Sequence, residues 1–154
     1  MLIKALLAFL LLPFMVTGTV PVLIILFGQH HFEGFWWGRI PFTAGCLMLF
    51  MSVVAFYVEG HGTLAHWSPP KKMIRSGCFK YTRNPMYVGV ILILIGESLI
   101  SGSLWLLAWM TVITIAFNFH IRIVEEPWLE KTFGEEWFDF KRTVPRWWPK
   151  LSNK

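Results

Sequence analysis

Charge is what most of this chain does without. Of its 154 residues only 9 are acidic and 14 basic, and the stretches 5–27, 41–58, 86–100 and 104–119 hold a single carboxylate between them, Glu97, and no lysine or arginine. A soluble globule alternates polar and apolar positions at the period of its helices or strands, and uncharged blocks of this length exclude that design. Cysteine is scarce too. Cys46 and Cys78 stand apart, with no C-x-x-C and no close His/Cys grouping, which argues against a disulfide framework and against a structural metal. The adjacent His30 and His31 point apart on a helix and read as wet interface residues rather than ligands. Repeats, low-complexity tracts and nucleic-acid-binding motifs are absent, so the net charge of +5 calls for another partner.

What is present is apolar mass: 55% of the residues are hydrophobic and the mean hydropathy is +0.55. A bilayer-crossing helix takes roughly 20 apolar residues, so the first block is long enough and the second nearly so. The last two blocks are separated only by "SGS", Ser101 to Ser103, and read as a tight hairpin helped across by polar ends or local thinning of the bilayer. The expected fold is all-α, a single integral-membrane domain over 1–154 with about four transmembrane helices, two of them within 1–58. "MLIK" before an apolar run has the form of a signal peptide. No small-x-small cleavage site follows, however, and the apolar run resumes after Pro21, so retention as the first span is expected.

The basic residues set the orientation. Thirteen of the 14 lie at the N-terminus, in the loop after the second span or in the tail, and only Arg39 lies in the first loop. Four spans with both termini cytoplasmic put all thirteen on one side, as the positive-inside tendency requires. The net charge then reports topology and anionic lipid.

The polar segments sit at that cytoplasmic face. In the loop after the second span, "GHGTLA" (Gly60 to Ala65) matches G-x-G-x-x-A, but a dinucleotide fingerprint needs a strand before it and here a membrane helix precedes. Gly60 and Gly62 keep one significance: glycine lets backbone approach a ligand closely. Next comes "SGCFKYTRNPMYVGVILILIGE", Ser76 to Glu97. Pro85 holds Asn84 extended and suits the first turn of a helix, so the third span begins near Pro85 with Asn84 as its cap. Tyr87 falls in that first turn at interfacial depth. By themselves, Lys80, Tyr81, Arg83 and Tyr87 would make an ordinary lipid-binding collar.

The tail adds a second polar cluster. His120, Arg122, Glu125 and Glu126 follow the fourth span. Consecutive helix positions lie about 100° apart, so one carboxylate contacts a ligand while the other pairs with a basic neighbour. From Pro127, Leu129, Phe133, Trp137 and Phe140 share one face, predicting an amphipathic helix folded back over the cytoplasmic ends of the spans. Such a helix would roof a pocket lined by the Pro85 turn and the Glu125–Glu126 pair. Glu97 is expected to reach the outer interface, since "SGS" follows within four residues.

With these residues in view, "GHGTLAHWSPPKKMIRSGCFKYTRNPMYVG" and "EEPWLEKTFGEEWFDFKRTVPRWWP" resemble the integral-membrane methyltransferases of the isoprenylcysteine carboxyl methyltransferase and phospholipid methyltransferase superfamily. Four markers occur in order over Glu59 to the C-terminus: G-x-G, G-x-F/Y-x-x-x-R-N/H-P-x-Y-x-G, E-E, and F-G-x-x-W/Y followed by V-P-R. The resemblance implies S-adenosylmethionine bound on the cytoplasmic face and an acceptor entering from the bilayer. It implies cofactor binding by Gly60, Gly62, Phe79, Asn84, Pro85, Tyr87, Glu125 and Glu126. Phe79 stands where tyrosine is frequent in that family, and Asn84 where histidine is.

The expected function is therefore methyl transfer from S-adenosylmethionine to a hydrophobic or amphiphilic membrane acceptor, of the isoprenylcysteine carboxyl type. N-methylation of a phosphatidylethanolamine-type headgroup is the alternative, and a non-catalytic lipid-binding protein is the alternative from another class. Arg83, Arg122 and Glu126 are the expected catalytic residues. The two arginines lie beside the pocket, at the depth of an anionic headgroup or carboxylate, where a planar fork binds in two-pronged fashion; pairing with Glu125 or Glu126, or with bulk anionic lipid, is their competing use. No metal and no nucleic acid enters this reading.

Overall fold

The computed structural model describes residues 13–28, 32–59 and 72–147, and these are helical, with no strand among them. The glycines Gly60 and Gly62, the pair His30–His31 and the final residues from Trp148 lie outside the described residues. Four apolar helices come first: α1 (Met15–Phe27), α2 (Arg39–Val58), α3 (Pro85–Ser101) and α4 (Leu104–His120). Two of the apolar helical stretches, Trp36–Ala55 and Leu104–Phe133, are long enough to cross a membrane, at 20 and 30 residues; α1 and α3 are shorter. Their outward faces are apolar, with Phe27, Leu26 and Phe50 among many exposed large side chains. A water-soluble monomer does not present such a surface.

Small residues decide how these helices meet. Gly38 and Gly45 on the α2 side face Gly96 and Gly89 of α3, so the two helices run antiparallel with backbone against backbone. A Cβ added at Gly96 would lie 2.6 Å from the Phe42 backbone nitrogen and 2.7 Å from the Gly38 carbonyl oxygen; one at Gly45 would lie 2.6 Å from the Gly89 oxygen. Where lipid is as apolar as leucine, close van der Waals approach replaces the hydrophobic drive between helices. The turn from α3 to α4 is Gly102–Ser103. Gly102 takes φ +67°, a left-handed helix cap, and its amide donates to the Ser98 carbonyl at 3.0 Å. The loop before α2 is laced to the same turn, Phe35 N donating to the Leu99 oxygen at 2.8 Å.

Glu97 is half-buried on α3, and its Oε2 is buried with no hydrogen-bond partner among the described residues.

Beyond α4 the helix does not stop. A π-type turn, Ile121–Glu125, leads directly into α5 (Glu126–Phe133), and α6 (Glu135–Thr143) follows. The single amphipathic helix expected from Pro127 is thus two short helices. Gly134, at φ +53°, makes the break, in a region that costs other residues strain. The anticipated apolar face survives the break: Trp137 and Phe140 form a buried cluster with Ile74, Phe79 and Val144, and Leu129 and Phe133 pack against it.

Candidate functional site

The two polar clusters of the sequence meet at the end of the bundle where α3 begins and α4 runs out. The segment Ser76–Asn84 crosses this end as a short 3-10 turn, Gly77–Lys80, followed by an irregular bend. Pro85 is buried at the first helical position of α3. Asn84 is the residue before the helix, but its side chain does not cap it. Its Nδ2 instead donates to the carbonyl of Arg146 at 3.2 Å.

That bond belongs to a clasp. Thr82 Oγ1 donates to the same Arg146 oxygen at 2.9 Å, and Arg83 N donates to the Pro145 carbonyl at 2.9 Å. The stretch after α6 is therefore tied to Thr82–Asn84 through its own backbone carbonyls, Pro145 and Arg146. Side chains complete it. Arg146 reaches Glu126 with two parallel bonds, Nε to Oε1 at 2.9 Å and Nη2 to Oε2 at 2.8 Å. Arg83 Nη1 donates to Glu126 Oε1 at 3.0 Å from the other side. The side chains of Arg83 and Glu126 are 8% and 11% exposed, which makes this a buried triad rather than a surface pair. Arg83 also lies over the Trp137 ring at 5.3 Å, the stacking that a guanidinium makes and an ammonium does not.

The electrostatics follow from burial and partners. Burial alone would raise the Glu126 carboxyl, but the hydrogen bonds and charge of Arg146, and then the charge of Arg83, hold it below the usual carboxylate range. Burial lowers Arg83, against the opposing charge of Glu126, and arginine stays charged regardless. Two buried donors here lack a partner among the described residues, Arg83 Nε and Trp137 Nε1.

Glu125 faces elsewhere. Tyr87, one turn into α3, donates its hydroxyl to Glu125 Oε1, and its ring lies 4.4 Å from that of Phe117. His120 Nε2 lies 3.5 Å from the same Oε1. Unlike its neighbour, this carboxylate is partly open, its side chain 29% exposed. The tandem glutamates thus face different partners, Glu126 the two arginines and Glu125 the Tyr87 hydroxyl and His120.

The structure brings Arg83, Asn84, Pro85, Tyr87, Glu125 and Glu126 together. Phe79 is nearby, but only 6% exposed in the tail cluster. Arg122 is exposed and takes no part in an ion pair among the described residues. Arg83 is paired with Glu126, the competing use that the sequence left open for the arginines. Sequence reasoning missed the clasp made by Arg146 and Thr82, and read Trp137 only as part of the tail's apolar face. Arg146 was visible only as the last letter of the V-P-R marker, with nothing local to say that it returns to a glutamate twenty positions earlier. An apolar cleft of about 780 Å³ between α1 and α4, lined by Leu23, Phe27, Trp105 and Trp109 among others, lies toward the opposite end of α4 and holds none of this chemistry.

A family model described as phospholipid methyltransferase matches residues 42–136, more than half of the chain. The chain belongs to that family. The match runs from early α2 into α6, so it includes the Arg83–Tyr87 turn and both glutamates of this phospholipid methyltransferase family member and ends before Arg146. Searches of curated proteins and of solved structures returned no match. The family makes the protein a membrane methyltransferase concerned with lipid.

Proposed function

We propose that the protein transfers a methyl group from S-adenosylmethionine to a lipid-like acceptor held in the membrane, at the end of the bundle where Tyr87 meets Glu125. The observation that carries this reading is the pairing of an open carboxylate with two aromatic rings, beside a clasp that fixes its position. The cofactor is a sulfonium with an ammonium and a carboxylate at its tail. Its cationic groups suit Glu125 and the ring faces of Tyr87 and Phe117, through charge-assisted hydrogen bonding and cation–π attraction. When bound, S-adenosylmethionine supplies an electrophilic methyl and a neutral thioether leaving group.

The chain supplies alignment and exclusion of water, which can lower such a barrier substantially. Glu125 and Tyr87 hold the cationic end. Arg83, Glu126 and Arg146 keep α5 and the Asn84–Pro85 turn in register, so we assign Arg83 and Glu126 a positioning role. Arg122, exposed beside them, is assigned to the anionic part of the acceptor. Gly60 and Gly62 complete the cofactor site in this reading. The whole chain acts as one domain with α1 to α4 as four spans, α3 and α4 a hairpin, and the site and both termini cytoplasmic, supported by the thirteen-to-one split of basic residues.

Two acceptors fit the family. A carboxylate, as in isoprenylcysteine methylation, attacks without a base; an ammonium headgroup must first lose a proton. The His120–Glu125 contact favours the amine, as in phosphatidylethanolamine. Purified protein incubated with isotopically labelled S-adenosylmethionine and a total lipid extract should yield a labelled lipid by mass spectrometry. Absence of any labelled lipid, with cofactor binding also absent by calorimetry, refutes the methyltransferase reading.

A further inference from the structure

We infer that His120 is the proton acceptor for an amine headgroup, with Glu125 and Tyr87 orienting its imidazole. This rests on the proposed reading of the site and adds to it a residue with a chemical role. His120 is the last residue of α4, at the depth where an apolar span meets the polar end and where a lipid headgroup must lie. Its side chain is 38% exposed, so an amine can reach it, while its Nε2 lies 3.5 Å from Glu125 Oε1. The same carboxylate oxygen accepts the Tyr87 hydroxyl, which pins Glu125 from α3. A base oriented by a carboxylate that is itself held by a third group is the arrangement by which enzymes position an imidazole, and its contacts are commonly loose before substrate arrives.

The chemistry is a single proton transfer. The headgroup ammonium N–H bond breaks and its electron pair stays on nitrogen as the lone pair that a methyl donor requires. The proton forms a new N–H bond on the imidazole of His120; the resulting imidazolium is stabilised by the nearby Glu125 carboxylate and returns the proton to water. Among the described residues, Glu125 on the same continuous helix lies against the imidazole, and Tyr87 on α3 donates to the same carboxylate oxygen. A carboxylate acceptor needs no base and would leave His120 without this role.

The test uses the full chain in vesicles containing phosphatidylethanolamine, comparing the wild type with His120→Gln, which preserves size and hydrogen bonding but not basicity. Cofactor affinity by calorimetry should be unchanged. Turnover at neutral pH should fall about 100- to 10,000-fold, the usual worth of a positioned base. The deficit should shrink as the pH approaches that at which the amine deprotonates unaided, and added imidazole should restore part of the rate. Wild-type turnover on phosphatidylethanolamine with His120→Gln equally active overturns the inference and leaves the proposed function standing. Methylation of carboxylic lipids alone by the wild type, with none on the amine, overturns the inference by removing its acceptor. Loss of cofactor affinity in His120→Gln assigns His120 to the cofactor and overturns the base role.

Discussion

The Arg146 clasp can be broken at one atom group, and the cost is calculable. Arg146→Ala removes both bonds to Glu126, at 2.8 and 2.9 Å, while its backbone carbonyl goes on accepting from Thr82 and Asn84. Stripping one partner from a buried ion pair costs about 3–5 kcal/mol. Arg83 still neutralises Glu126, so the lower figure, about 3 kcal/mol, applies. For a domain of this size that corresponds to a fall in melting temperature of about 6–12 °C. Arg146→Lys keeps the charge but not the fork and gives up one of two bonds, about 1.5 kcal/mol and about half the shift. Thermal unfolding in detergent, followed by tryptophan fluorescence, measures both, since Trp137 lies in the cluster that the clasp closes. Proteolysis at Lys141 and Arg142 should accelerate in parallel as α6 lifts. Melting of Arg146→Ala with the wild type, at unchanged protease sensitivity, would mean that the Arg146 side chain contributes nothing and that backbone bonds and apolar packing hold the tail.

Glu126 gives the clasp a pH signature: because its carboxyl is held below the usual range in the folded protein, its contribution is complete above the unfolded-state value, about 4.3, and is lost as pH falls through the folded value. The stability difference between wild type and Glu126→Gln should therefore be constant near neutrality and close on acidification; a gap that widened in acid would contradict the linkage. Gly96→Ala forces a Cβ to within 2.6 Å of backbone on α2 and should destabilise by about 1–3 kcal/mol, whereas Gly18→Ala meets only the Phe14 ring at 3.4 Å and should melt normally. Glu125→Gln removes the charge offered to the cofactor and should weaken S-adenosylmethionine binding about 10- to 150-fold by calorimetry; unchanged affinity would take Glu125 out of the site.

The helices were legible because their signals are local. Uncharged blocks, Pro85 at a helix start and a small-residue turn at Ser101–Ser103 each act within a few residues, and the apolar face of the tail could be counted off at spacings of four, four and three. What could not be read depended on distance or on a single dihedral angle. The break at Gly134 is a choice of positive φ that glycine permits but does not announce. The destination of Arg146 is a contact across twenty positions.

The division of labour between Glu125 and Glu126 has its own cause. In a regular α-helix a buried residue at Ile121 is followed on the same face by positions 124 and 125, which would have turned Glu125 inward. The observed buried positions are Ile121 and Glu126, five apart, because the turn Ile121–Glu125 is of π type. One extra residue in that turn carries Glu126 to the arginines and leaves Glu125 beside Tyr87 and His120. Single π turns inside α-helices recur at functional sites, and here the insertion has a physical consequence. It lets two adjacent carboxylates face different partners without a break in the helix that ties the span to the tail. A buried, doubly paired glutamate then holds the frame, and its neighbour keeps the partial exposure on which the proposed role in holding a cation depends.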